Sequence, residues 1–94
     1  MKRKPDDASA PWLPASYEDA DVYAIRALNA GNANEAQQKR ALAWVIAASG
    51  YYDLAFRPGP DGDRATAFAE GKRFVGAQIV KMTKVQAPSH AGKA

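Results

Sequence analysis

The chain has no cysteine and only one histidine, His90, among its 94 residues. Without cysteine there is no disulfide to staple a small fold and no thiolate nucleophile. Tetrahedral zinc sites need Cys and His clusters at fixed spacings, so one histidine in a polar tail excludes a structural zinc as well. No apolar run approaches the roughly 18 residues of a membrane span. Met1-Lys2-Arg3-Lys4 opens like a signal peptide, but no apolar segment follows it. The protein is therefore expected to be soluble and to remain where it is made. No Gly-rich phosphate loop is present. Asp61-Gly62-Asp63 resembles the start of a calcium loop, yet the alternating oxygen ligands and closing glutamate do not follow. Carboxylate-pair chemistry needs two acids held together in a shielded cleft, whereas Asp53, Asp61 and Asp63 gather around a Pro-Gly loop. Neither catalysis nor a cofactor is expected.

What is present reads as one small helical unit between polar ends. Residues 1–15 carry Lys2, Arg3, Lys4, Asp6, Asp7 and three prolines, and residues 85–94 are mostly small, polar and basic. Neither end has the apolar periodicity that offsets the entropy of ordering a chain. The expected organisation is a flexible arm over 1–15, a helical domain over 16–84 and a flexible tail over 85–94. A domain of that size buries a modest core and gains stability from oligomerisation or from docking on a larger body. The net charge of +3 is unevenly spread. Glu18, Asp19 and Asp21 outweigh Arg26 in the first helical stretch, while Arg64, Lys72, Arg73, Lys81 and Lys84 outweigh Glu70 in the last.

Three helices are predicted. Ser16 followed by Asp19 resembles a capping pattern, and the first helix runs from Tyr17 to about Ala30, ending at Gly31. Val22, Ile25 and Asn29 share one side of it, with Leu28 at the edge. Asn32 or Asn34 caps the second helix, which starts near Glu35 and stops at Gly50, with Leu42, Val45, Ile46 and Ser49 as its apolar stripe. Trp44 lies on the far side of that wheel. It packs on the first helix or a nearby loop, or it anchors a partner. The stretch from Tyr51 to Arg57 is strand-like or a helical turn, and Tyr51, Leu54 and Phe56 are expected to cover the open end of the helix pair. Two prolines and two glycines in 58–62 then interrupt any helix. Asp61 or Asp63 caps the third helix, which ends near Thr83 or Lys84. Phe68, Val75, Ile79 and Met82 fall within about 60° of one another on its wheel and mark the expected core face. A glycine inside a helix costs about 1 kcal/mol relative to alanine, so Gly71 and Gly76 are read as positions of close backbone approach. The fold class is all-α, with the second and third helices as an antiparallel hairpin.

Phe74 and Val80 point away from the expected core face, as Trp44 does on the second helix. Together with Tyr51 and Tyr52 they form the candidate protein interface, because large apolar groups left outside a small core mark contact surfaces. A competing set for nucleic acid is Arg73, Lys81 and Lys84, opposite the expected core, with the basic ends adding phosphate contacts. The proline-rich connection of about a dozen residues argues against a helix-turn-helix.

From Gln38 to about Val85 the chain resembles a family of small tailed-phage proteins typified by one from a Bordetella podophage. The matching residues are Ser49-Gly50-Tyr51-Tyr52 at a helix end, an aromatic at Phe56, and the run from Asp63 to Gly76 built on Ala67-Phe68-x-Glu70-Gly71-x-Arg73-x-Val75-Gly76. Members have a shorter loop than the one over 58–62. The resemblance implies a phage setting without catalytic activity: a virion structural or assembly protein, made in the bacterial cytoplasm and present in several copies against head or portal-vertex proteins. Its alternative is a DNA-binding accessory to genome packaging. Within the pattern, Glu70 and Arg73 pair with each other or one reaches a partner.

Overall fold

The computed structural model describes residues 10–86; the basic start and the expected tail from residue 87 on, His90 included, lie outside them. Among the described residues there are three helices and no strand: α1 (Asp19–Ala30), α2 (Glu35–Ala48) and α3 (Gly62–Lys84). The all-α reading holds, and α2 contacts both other helices.

The α1 start differs from the expected one by two residues. Glu18 is the N-cap, and the Asp21 carboxylate accepts a hydrogen bond from the Glu18 backbone N–H at 2.8 Å. The reciprocal box thus forms between Glu18 and Asp21, because an acid three residues into a helix reaches back to the cap amide. Gly31 ends α1 at φ 80°, the left-handed geometry that a side chain resists. Of the two candidate caps for α2, Asn34 does the work: its Oδ1 accepts from Gln37 N–H at 2.8 Å and the Gln37 side chain accepts from Asn34 N–H at 3.0 Å. Asp61 occupies the cap position of α3 but makes no side-chain cap bond.

The closest helix pair is α1 with α2, a pairing the apolar stripes did not assign. Ser16, just ahead of α1, bonds Trp44 in the second half of α2, and Glu18 and Asp21 bond Arg40 near its middle, so the two run antiparallel across the short Gly31–Asn34 link. Ala24 and Ala41 are fully buried. At the open end, Arg40 donates from Nε to Asp21 at 2.7 Å and from its terminal nitrogen to Glu18 at 2.8 Å. The acids read as helix-dipole partners therefore also clasp the second helix. The α2 surface is two-sided: Gln37, Ala41, Trp44 and Ala48 are at least half-buried on the α1 side, and Ile46 is buried on another.

The largest departure concerns α3. Its buried residues are Gly62, Ala65, Ala69 and Gly76, while Phe68, Val75 and Met82 are 46%, 55% and 74% exposed. The expected core face is thus largely solvent-facing. The reason is contact distance. A Cβ built on Gly76 would lie 2.9 Å from Ser49 Cβ and 3.0 Å from Tyr51 Cβ, so the chain end of α2 presses directly on the α3 backbone. A helix approached that closely turns its smallest residues inward. Gly71, by contrast, has nothing within 4 Å of its missing Cβ, so its reading as a close-packing position is not met within the chain.

The aromatic connection is irregular and does not cover the helix pair as expected. Extended backbone alternates its side chains, so Ala55 is buried while Leu54 and Phe56 point outward, 74% and 66% exposed. The Arg57 N–H donates to Thr66 Oγ1 at 2.8 Å and ties the strand-like segment to the first turns of α3. Residues 10–13 also join the body: Pro11 is buried, Lys72 Nζ donates to its carbonyl at 2.8 Å, and the Trp12 ring meets Phe68 edge-on at 5.9 Å. The packed unit therefore reaches back to residue 10, ahead of the expected boundary at 16.

Two outcomes follow. Gly76→Ala is expected to destabilise the fold by about 1–3 kcal/mol through overpacking, and Gly71→Ala to stabilise α3 by up to about 1 kcal/mol, both read from urea midpoints. The Asp21 carboxyl is held below its ordinary range, first by the Glu18 backbone N–H; burial opposes this and Arg40 adds to it. A depressed carboxylate stabilises fully above its unfolded pKa of about 4 and ceases to as pH falls through the lower folded value. Asp21→Asn should therefore lower Tm near neutral pH, with the gap to the native protein closing as pH falls below about 4.

Candidate protein-interaction surface

The small-residue packing of α3 leaves its large apolar side chains uncovered. Phe68, Val75 and Met82 recur every seven residues on one face, with Ile79 half-buried beside them; Phe74, 63% exposed, lies on the next face round. Trp12, 48% exposed, extends this surface at its Phe68 end. Tyr52, Leu54 and Phe56 add a second exposed group on the connection. Among the described residues no large side chain is fully buried, and the core is Ala24, Ala41, Ile46, Ala55, Ala65 and Ala69. Apolar area removed from water drives folding at about 25 cal/mol per Å², and methyl groups supply little of it. Much of this chain's apolar payload is on its outside.

The five predicted interface residues fall in different places. Trp44 is half-buried and turned toward α1, where its indole Nε1 donates to the Ser16 carbonyl at 3.0 Å. It also forms one wall of a cleft of about 240 Å³ with Tyr17, Asp21, Val22, Ile25 and Arg26. That is the intramolecular alternative of the two readings for this tryptophan. Tyr51 is half-buried against Gly76 and meets Tyr52 edge-on at 5.1 Å, while Tyr52 itself is 72% exposed. Phe74 is exposed as expected, and Val80 is half-buried. The set does not converge on one patch. The residues that the sequence reading missed as surface are Phe68, Val75 and Met82, since a core stripe and a docking stripe have the same spacing. The available signal was the parallel row of small residues, Ala65, Ala69 and Gly76, which fits a close helix contact better.

The basic set is divided as well. Arg73 is half-buried, donates from Nε to the Asp53 carbonyl at 3.0 Å and sits 5.8 Å from the centre of the Tyr51 ring. It serves the connection, and the expected Glu70–Arg73 pair is not among the ion pairs of the described residues, which join Lys39 to Glu35 and Arg40 to Glu18 and Asp21. Lys72 is likewise held by Pro11. Lys81 and Lys84 remain exposed at the end of α3. Two lysines on one helical turn make no extended phosphate track.

No group of three or more His, Asp or Glu side chains among the described residues is placed to hold a metal ion, and no helix among them is long and apolar enough to cross a membrane. The cleft beside Trp44 is smaller than the roughly 300–1,000 Å³ of small-molecule sites. Comparison with protein-family models, curated proteins and solved structures found no match to the chain.

Trp44→Ala is expected to lower stability by about 2–4 kcal/mol, through lost packing and the lost bond to Ser16. Phe74→Ala should change it by less than about 0.5 kcal/mol. Equal effects in chemical denaturation would mean that Trp44 does not hold α1 to α2.

Proposed function

We propose that the chain is a non-catalytic assembly protein of a tailed bacteriophage particle, binding head or portal-vertex proteins in several copies. The observation that carries the binding half of this reading is the uncovered apolar surface of α3. Phe68, Val75 and Met82 share one face and all three are exposed. An isolated soluble protein rarely leaves a contiguous apolar surface of several hundred Å² exposed, and such surfaces are generally contact sites. The phage setting rests on the resemblance over residues 38–85, whose Phe68-x-Glu70-Gly71-x-Arg73-x-Val75-Gly76 run lies along this same helix.

The small alanine core supports the same reading. A unit that buries few large side chains gains the rest of its stability where its outer apolar face is covered. DNA binding is the weaker reading, because Arg73 is engaged within the fold and only Lys81 and Lys84 of its set stand free on the surface.

Quantitative mass spectrometry of purified particles tests the proposal. A fixed copy number set by a portal ring or the capsid lattice is expected. Absence from finished particles would remove the structural role and leave a transient assembly or packaging factor. An association that weakens steeply between about 50 and 200 mM salt would point instead to phosphate contacts.

A further inference from the structure

The uncovered face of α3 carries Phe68, Gly71, Val75 and Met82, with Ile79 half-buried among them. Their spacings of three, four, four and three residues read the same from either end, with Val75 at the centre. A helix patterned in this way is complementary to itself when a second copy crosses it antiparallel. Val75 then meets its own counterpart on the twofold axis. Phe68 faces the second copy's Met82, a favourable ring–thioether contact. Gly71 faces the second copy's Ile79, so that a branched side chain enters the notch left by a missing one. Such an isologous contact closes with two copies.

We infer that α3 is a homodimerisation helix and that a second copy of this chain, antiparallel and centred on Val75, covers its apolar face. Three observations support that occupant. Gly71 has open space around its missing Cβ, whereas Gly76 is pressed by Ser49 and Tyr51 and Gly62 by the Arg57 carbonyl, so of the α3 glycines only Gly71 has no neighbour within 4 Å. The exposed parts of Phe68, Val75 and Met82, with Trp12, Phe74 and Val85 at their margins, offer on the order of 600 Å² of apolar surface per copy. Two copies would bury about 1,200 Å², the lower bound for a stable specific interface. The order of the side chains selects the orientation: parallel pairing would set Gly71 against Gly71 and Ile79 against Ile79, leaving one layer empty and one crowded.

The inference deepens the binding half of the proposed function and does not depend on the phage setting. Sedimentation equilibrium on the full chain should show the mass rising with concentration from 10.1 kDa toward twice that value. Val75→Glu, which places two carboxylates on the axis, should weaken association at least tenfold while the helical circular dichroism stays unchanged, since Val75 is 55% exposed. A native chain that is monomeric up to about 0.5 mM, or a Val75→Glu variant that dimerises like the native protein, overturns the inference. The absence of cysteine permits an orientation test. Phe68→Cys and Met82→Cys proteins, mixed and oxidised, should form the mixed 68–82 disulfide in preference to 68–68 and 82–82. The reverse preference means parallel pairing and also overturns it. A monomeric chain found in particles removes the dimer and keeps the assembly role; a dimer absent from particles does the opposite.

Discussion

At the middle of α3 the backbone is in direct contact with the end of α2, and the architecture depends on that approach. Gly76 meets Ser49 and Tyr51 at distances where no side chain fits. Two helical elements that come this close must do so through their smallest residues, so Ala65, Ala69 and Gly76 turn inward and set the rotation of α3 about its own axis. That rotation carries Phe68, Val75 and Met82 outward. It also brings Arg73 over the Tyr51 ring and within hydrogen-bonding distance of the Asp53 carbonyl, and the connection is held in place from the α3 side. Exchange of the glycine for a larger residue would disturb the contact, the helix rotation and the exposed face together.

The other half of the molecule is organised by charge and indole contacts rather than by apolar bulk. Arg40 joins Asp21 and Glu18, and Trp44 reaches Ser16, so three residues at the entry to α1 are tied to the middle of α2. These bonds are solvent-exposed, where ion pairs contribute little each. Their consequence is geometric: they fix which face of α1 meets α2, the helices in which Ala24 and Ala41 are fully buried. A fold whose core is alanine and one isoleucine, with its larger apolar groups outside, is poorly served as an isolated unit. This is the structural basis for reading it as a component of an assembly.

Local signals were the most legible part of the chain. Gly31 and Gly50 as helix stops, Asn34 as a cap, and the proline-glycine break before α3 are determined by backbone geometry at single residues, and they stand where the sequence places them. The antiparallel pairing of α1 with α2 was legible only as one of two readings of Trp44, because the other residues that create it, Asp21 and Arg40, are polar and carry no periodic signal. Nor was the inner face of α3. Periodicity identifies which side chains share a face, but a stripe of Phe, Val and Met looks the same whether it faces the chain's own core or solvent. The row of alanine and glycine beside it won because close contact depends on the absence of side chains, which hydrophobicity does not measure.

The sequence by itself determined three helices, their approximate limits, and the lack of cysteine for disulfides or thiolate ligands, since each of these follows from residue identity within a few positions. Only the tertiary structure decided which face of each helix is buried, that Trp44 is turned to α1, that Arg73 serves the connection, and that Phe68, Val75 and Met82 are left for solvent or a partner. Those choices depend on distances between segments far apart in the chain, and a short-range pattern contains no information about how closely two backbones will approach.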